Sequence, residues 1–336
     1  MKTCLILSIL LILVTLTLNG QRKMDSVTTY IHQEPASLQA KILQSIIGIS
    51  GLKNKIEKDL IKGEFSQKAS SIPKSIQKKY NINIEIKNDR PIWTLKPKQN
   101  GTEKVILYLH GGAYIYNLSK QHWQLIESLM NQTNATLVVP DYPLAPTSTC
   151  INAFECIEYA FSVMTKNISP ENIILMGDSA GAGLALSFAQ KLRNDKKAKQ
   201  PSQIILLSPW LDVTMTNQAI IYIDSKDKIL GVKGLEMAGK AYSGELNTQD
   251  YKVSPIYGDI KGLGQISVFT GTKDLLIADA RQLKHIAKTN SIELNYYEYP
   301  NMFHDWVIIT SLRESEHALK QINLIINGTN PQGLNH

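Results

Sequence analysis

A glycine-flanked serine carries the clearest chemical signal in this chain. The segment Gly177-Asp-Ser-Ala-Gly181 follows an apolar run typical of a strand, residues 172–176, and precedes an alanine-rich stretch typical of a helix. A serine at a sharp strand-to-helix turn needs small residues two positions away on each side, because the strained backbone brings strand and helix close together. Such a turn exposes the hydroxyl at a helix amino terminus, so Ser179 is the candidate nucleophile.

A serine hydroxyl is a weak nucleophile at neutral pH, and it needs a base and an acid that orients the base. His304 follows the last predicted strand, and Asp274 follows the strand before it, so the chain order is Ser, Asp, His, as such a turn requires. Asp279 is predicted to lie in the first turn of the next helix. The side chain of Asp305 is predicted to diverge from that of His304, because neighbours on an extended loop usually point apart.

Two glycines follow a further predicted strand, residues 105–109, in the segment His110-Gly-Gly-Ala113. Glycine lets backbone N–H groups turn toward one point that side chains would otherwise obstruct. Two amides of this loop, together with the amide of Ala180, are predicted to form an oxyanion hole for a tetrahedral intermediate.

The elements that must position these residues alternate between strand and helix. Strands are predicted at residues 81–86, 90–95, 105–109, 136–139, 172–176, 203–207, 266–270 and 293–299, the first two as an antiparallel hairpin, and helices at 123–132, 153–165 and 184–193. This alternation predicts an α/β fold with a mostly parallel sheet covered by helices, whose ligands bind beyond the carboxyl ends of the strands. Residues 25–79 are predicted to form two or three amphipathic helices, and residues 211–260 an irregular excursion over the same sheet edge.

Composition narrows the class of protein. The chain has 336 residues, 43% hydrophobic and 19% charged, which excludes a disulfide miniprotein, a coiled coil, a collagen and a disordered chain. The formal net charge of +7 comes from scattered lysines without an aromatic-basic stripe, so no nucleic-acid partner is predicted. No Cys/His cluster has zinc spacing, and no metal or cofactor is expected. Cys150 and Cys156 are predicted to be free thiols.

An apolar run at the amino terminus, residues 4–18, interrupts this ordinary composition. It falls short of the ~20 residues of a comfortable spanning helix and suits the apolar part of a secretory signal. Gly20 is acceptable before a cut at Gln21, but Leu18 stands where a small residue is preferred. A secreted protein and a membrane-anchored one, both extracytoplasmic, therefore stay open.

Taken as an ordered set, five motifs resemble those of the hormone-sensitive-lipase-like family of α/β-hydrolase esterases, over about residues 80 to 325. The motifs are His110-Gly-Gly-Ala113, Asp141-Tyr-Pro-Leu-Ala-Pro146, Gly177-Asp-Ser-Ala-Gly-Ala-Gly183, Asp274-Leu-Leu276 and His304. The resemblance implies an α/β-hydrolase domain at residues 81–330 and a helical cap at 21–80 to which 211–260 contributes. The apolar run adds a predicted signal or anchor at 1–20.

The resemblance also implies roles for individual residues. Ser179, Asp274 and His304 correspond to the family's triad, and the amides of Gly112, Ala113 and Ala180 to its oxyanion donors. The residues implied to support them are His110, which orients the loop, and Gly111, Gly177, Asp178 and Gly181.

The chain departs from the family pattern at three places. Ala113 stands for the commoner third glycine. Pro143 and Thr147 stand where an arginine and a glutamate are frequent, which puts a structural ion pair in doubt. Asp305-Trp306 replaces the frequent Gly-Phe after the histidine.

These observations predict a serine carboxylester hydrolase that acts on small esters with short to medium acyl chains. Tyr114, Trp210 and the 211–260 excursion are candidate walls of its pocket. A peptidase or amidase on the same fold, a non-catalytic ligand-binding member of the family and an interfacial lipase stay open as alternatives. Assembly as a homodimer is compatible with the sequence.

Overall fold

The structure is a computed structural model that describes residues 26–64, 68–166, 168–196 and 199–329. The predicted signal or anchor, residues 1–20, lies outside the described residues. Within them, none of the helices combines the length and the hydrophobicity that crossing a bilayer requires.

The described residues contain one sheet of nine strands, in the order β1-β9-β8-β7-β6-β4-β5-β3-β2. The strands are β1 Val27–Ile31, β2 Asn81–Lys87, β3 Arg90–Lys96, β4 Val105–Leu109, β5 Thr136–Pro140, β6 Ile173–Asp178, β7 Gln203–Leu207, β8 Gln265–Gly271 and β9 Leu294–Tyr299. β2 and β3 form the predicted antiparallel hairpin, β3 pairs antiparallel with β5, and the other pairs are parallel. The predicted mostly parallel sheet is confirmed.

Helices cover both faces of this sheet. They are α1 Leu38–Ile49, α2 Lys55–Lys62, α3 Lys74–Lys79, α4 Lys120–Thr133, α5 Cys150–Met164, α6 Ser179–Asn194, α7 Val232–Ser243, α8 Ile277–Thr289 and α9 Arg313–Ile326. Central strand β4 is buried along its whole length, and its side chains alternate between the two layers: Leu107 packs in one cluster and Ile106 in the other. Cys150 and Cys156 lie on α5 as free, buried thiols, as predicted.

The strand order places a topological switch point beside β4. This strand lies between β5, which follows it in the chain, and β6, which comes later. The loops that leave β4 and β6 therefore emerge side by side at their carboxyl ends, where α/β folds bind ligands. Those loops carry the His110-Gly-Gly-Ala113 segment and Ser179.

The segment before residue 80 is not wholly helical, contrary to the prediction. Residues 27–31 form β1, which pairs in parallel with β9 at the edge of the sheet, Val27 opposite Leu294. The β-branched and aromatic residues of this stretch favour a strand once a neighbour with free backbone groups is available, and that neighbour is distant in sequence. α1, α2 and α3 follow. α2 packs against α7 of the 211–260 excursion, where Lys233 pairs with Glu57 at 2.6 Å. The division into cap and catalytic domain stays a prediction.

Candidate active site

The turn from β6 into α6 has the strained geometry expected for an exposed nucleophile. β6 ends at Asp178, α6 begins at Ser179, and Ser179 has a φ of 49°, in the left-handed region. Strand and helix approach so closely that a Cβ at Gly177 would overlap the carbonyl of Gly181, and one at Gly181 would overlap the carbonyl of Leu109. Both glycines are therefore required by packing.

This close approach makes Gly181→Ala strongly destabilising. The added methyl meets backbone rather than a flexible side chain, and we expect the free energy of unfolding to fall by about 3 kcal/mol. Urea denaturation followed by circular dichroism measures it. Gly48→Ala is the matched control: Gly48 lies in α1 with ordinary space around it, so the same methyl should raise stability by about 0.5–1 kcal/mol. Equal effects at both sites would contradict the packing argument.

The three side chains predicted to act together are connected by hydrogen bonds. His304 Nε2 is 2.9 Å from Ser179 Oγ, and His304 Nδ1 is 3.1 Å from each carboxylate oxygen of Asp274. Ser179 is the first residue of α6, directly after β6, while Asp274 and His304 lie on loops after β8 and β9, and all three are buried. In the neutral imidazole with the proton on Nδ1, Nδ1–H donates to the carboxylate and the lone pair of Nε2 is directed at the serine hydroxyl.

A second carboxylate supports the turn that carries Asp274. Asp274 Oδ1 accepts a hydrogen bond from Leu276 N at 2.9 Å, and Asp227 Oδ2 accepts one from Leu275 N at 2.7 Å. Burial and the charge of Asp274 raise the pKa of Asp227. Asp227 lies in the 211–260 excursion, and sequence reasoning missed it because no local pattern distinguishes it from other acidic residues.

Asp279 has no part in this arrangement. It lies in the first turn of α8, as predicted, and accepts a hydrogen bond from Asn217 Nδ2 at 2.8 Å. Burial raises its pKa to about 7.

The prediction that Asp305 diverges from His304 is wrong. Asp305 Oδ2 lies 3.1 Å from His304 Nε2, the nitrogen that also faces Ser179. The loop is not extended here: Asp305 has a φ of 55°, and a short 3₁₀ helix begins at the next residue. The turn folds its side chain back onto the imidazole, and the amide of Asp305 donates to Ser208 Oγ at 3.2 Å.

Two carboxylates therefore act on the same imidazole. Burial alone would lower the pKa of His304, but the negative charges of Asp305 and Asp274 raise it well above its ordinary value. Burial raises the pKa of Asp305 to about 6, although the charge of His304 opposes this shift. An imidazole between two carboxylates readily holds a positive charge.

The loop after β4 presents free amides beside the serine. Gly112 and Ala113 have φ values of 112° and 52°, and both line the same cavity as Ser179. Within the described part of the chain, their N–H groups have no acceptor. Ala180 is the second residue of α6, where amides have no intrahelical acceptor. These are the three predicted oxyanion donors.

Asp178 holds this loop against the elbow. Its buried carboxylate accepts hydrogen bonds from Gly111 N at 3.0 Å and from the hydroxyl of Tyr108, and it pairs with His122 Nε2 at 3.0 Å. Burial alone would lower the pKa of His122, but the charge of Asp178 raises it. A Cβ at Gly111 would overlap the Asp178 carboxylate, which explains this glycine. His122 is a further residue that sequence reasoning missed, since its position early in α4 carries no distinguishing pattern.

His110 lies beneath the loop as a neutral structural residue. Its ring stacks on Tyr142 with centroids 4.4 Å apart, and its Nδ1 donates to Gly111 O at 2.7 Å. Burial, reinforced by the charge of nearby His122, lowers the pKa of His110 to about 3. This geometry fits the predicted role of orienting the loop.

Pro143 and Thr147 cannot form the ion pair that is frequent in the family, but the segment that contains them has an ion pair with a residue of β3. Pro143 carries no ionisable group. Arg90 of β3 instead reaches Asp141 of the same segment, with Nη2 3.0 Å from Oδ2 and Nε donating to the backbone carbonyl at 2.7 Å. Both side chains are almost fully buried.

A cavity of about 180 Å³ opens at the serine. Its lining residues besides the site and the oxyanion loop are Leu52, Lys55, Ile56, Tyr116, Ile229 and Leu230. Besides Tyr116, which follows the oxyanion loop, the walls come from the region of α2 and from the 211–260 excursion. Tyr114 and Trp210 do not line it, contrary to the prediction: Tyr114 stacks between Trp210 and Tyr242 in the core. Large aromatic side chains bury more area inside than at a pocket rim.

Comparison with known proteins places the chain in a family. An esterase of Acinetobacter venetianus is 29% identical over 67% of this chain and 75% of its own length, and an acetyl-hydrolase of Streptomyces hygroscopicus is 29% identical over 64% and 71%. The crystal structure of a hormone-sensitive lipase from a metagenome library shares the fold, with a TM-score of 0.72 at 23% identity over 87% of this chain and 99% of its own. The family model for the alpha/beta hydrolase fold matches residues 106–308, more than half of the chain. The protein belongs to this α/β-hydrolase family.

Proposed function

We propose that this protein is a serine carboxylester hydrolase. The proposal is carried by one observation: the Ser179 hydroxyl, the His304 imidazole and the Asp274 carboxylate form a continuous hydrogen-bonded chain that ends in a cavity. The relatives named esterase and acetyl-hydrolase support the ester as substrate class.

In the proposed reaction, His304 Nε2 takes the Ser179 proton as Oγ attacks the ester carbonyl. Asp274 holds the tautomer with Nδ1 protonated and stabilises the imidazolium that forms. The carbonyl oxygen becomes an oxyanion and receives hydrogen bonds from the three free amides. His304 then gives its proton to the departing alkoxide, which leaves as the alcohol. Water repeats the sequence on the acyl-enzyme and releases the acid.

A fluorophosphonate probe tests this proposal on the full chain. It forms a covalent bond with an activated serine, so we expect labelling that mass spectrometry locates on Ser179, together with hydrolysis of p-nitrophenyl butyrate. Absence of both results would overturn the proposal and favour a non-catalytic ligand-binding protein. Labelling with faster cleavage of an acyl p-nitroanilide than of the matching ester would favour the amidase alternative.

The cavity favours short acyl chains. Its volume of about 180 Å³ is below the ~300–1,000 Å³ of sites for drug-sized ligands. We expect kcat/KM for p-nitrophenyl laurate to be at least about tenfold lower than for the butyrate, because forcing surplus methylenes into a filled site costs about 1–3 kcal/mol.

Leu230→Ala enlarges the cavity and should move the preferred chain to greater length, while Leu246→Ala, outside the cavity lining, should not. A wild-type preference for laurate would contradict the short-chain assignment and support the interfacial lipase alternative.

The cellular location and the oligomeric state of the protein can each be tested directly. Residues 4–18 are proposed to direct the protein out of the cytoplasm, as a cleaved signal or as an anchor, and sequencing the amino terminus of the native protein separates these two outcomes. The homodimer stays a prediction that sedimentation velocity measures.

A further inference from the structure

Asp305 gives His304 a second carboxylate partner, on the side of the ring opposite Asp274. We propose that Asp305 is a positioning residue that sets the pH range of the reaction by stabilising the protonated imidazole of His304. The inference rests on the proposed esterase function and goes beyond it, because a serine hydrolase needs only the Asp274 partner to orient its base.

The geometry makes Asp305 and Ser179 neighbours of the same nitrogen. Oδ2 of Asp305 lies 3.1 Å from His304 Nε2, and Oγ of Ser179 lies 2.9 Å from it. Oδ1 of Asp305 is buried without a hydrogen-bond partner in the described part of the chain. The positive φ and the bond from its amide to Ser208 Oγ hold the carboxylate in this place.

The other charged groups around the imidazole are mostly acidic. Asp274 faces it from the turn after β8, and the charges of Asp227, from the excursion, and Asp178, at the end of β6, act on this group of side chains. A cation, Lys55 of α2, lines the same cavity, but its ammonium pairs with Asp59.

Two groups next to Asp178 also sense the charge of Asp305. They are Tyr108 of β4, whose hydroxyl stays neutral because burial raises its pKa, and His122 of α4, whose charge pairs with Asp178. The negative charge of the Asp305 carboxylate is therefore compensated by the positive charge of His304 itself.

The negative charge of Asp305 shifts the pH dependence of the reaction in one direction. Nε2 accepts the serine proton only when it is unprotonated, and a carboxylate at Nε2 stabilises the protonated form, so Asp305 moves the onset of activity to higher pH. Once the imidazole is neutral, the same carboxylate stabilises the imidazolium that forms as Ser179 attacks. Asp305 thus limits activity in acid and supports it at higher pH.

The variant Asp305→Asn tests this inference. Asparagine has the same shape and tolerates the left-handed backbone. We expect the midpoint of the rise of kcat/KM with pH to move down by at least about one pH unit, since an opposite charge this close shifts a pKa by about 1–3 units. The plateau at higher pH should fall. Asp279→Asn removes a buried carboxyl that has no contact with His304 and should leave the midpoint in place.

A second measurement does not depend on activity. In a Ser179→Ala background, ¹⁵N-histidine NMR follows the protonation of His304, and Asp305→Asn should lower its pKa. An unchanged midpoint together with an unchanged titration, or an equal change in Asp279→Asn, would overturn the inference.

The two proposals fail in different ways. If the wild type hydrolyses no ester, the proposed function fails while the titration still tests Asp305. If thermal unfolding shows that Asp305→Asn does not fold, Asp305→Gly, which also tolerates the positive φ, replaces it in both measurements.

Discussion

Replacing Ser179 with alanine is expected to lower kcat for p-nitrophenyl butyrate by about 10⁶-fold, the size of the loss when a serine hydrolase loses its nucleophile. The variant cannot form the acyl-enzyme, because the atom that bonds to the acyl carbon is absent. Its fold should persist, because the substitution removes only the hydroxyl that hydrogen-bonds with His304 and leaves the Cβ at the elbow. Initial rates at saturating substrate, measured above the background hydrolysis, give the loss.

A second serine of the same helix serves as the control. Ser187 is also buried on α6, and its hydroxyl donates to Leu184 O at 3.1 Å, away from the site. Ser187→Ala should keep kcat close to that of the wild type. Full activity in Ser179→Ala would place the nucleophile elsewhere and refute the assignment.

Asp274→Asn should lower kcat by about 10⁴-fold, as the corresponding change does in a characterised Ser-His-Asp protease. An asparagine can present its amide N–H to His304 Nδ1, which then accepts instead of donating, and the proton moves to Nε2. That tautomer cannot take the serine proton. The buried imidazolium also loses its compensating charge on the Nδ1 side. Stopped-flow and steady-state kinetic assays over a range of pH measure the loss of kcat.

Asp279→Asn is the matched comparison, because both carboxyls follow β8 within one short segment. Its contact is with Asn217, so we expect kcat to stay near the wild-type value. An equal loss in both variants would show that the orienting acid has been assigned to the wrong residue.

Residue types and their spacing are enough to predict the features that depend on short-range geometry. Gly177 and Gly181 stand two residues either side of Ser179 because close backbone contact forbids a Cβ there, and this requirement is visible in residue types alone. The apolar runs of the buried strands are equally local, since a strand covered on both faces is apolar at successive positions. Chain order then selected His304 and Asp274, because each follows a strand whose carboxyl end reaches the same edge.

Which other side chains reach the site depends on how the packed chain brings distant segments together. The sequence predicts that the side chain of Asp305 points away, yet a left-handed turn directs it onto the base, because residue type alone does not fix the sign of φ at one position. Asp227 and His122 reach the site from the excursion and from α4. Arg90 of β3 pairs with Asp141, in the motif where the sequence put an ion pair in doubt.

β1 joins the sheet only because β9 offers an edge more than 260 residues later in the chain. Such contacts join residues distant in sequence, and their energies depend on distance and burial, which arise only when the chain is packed.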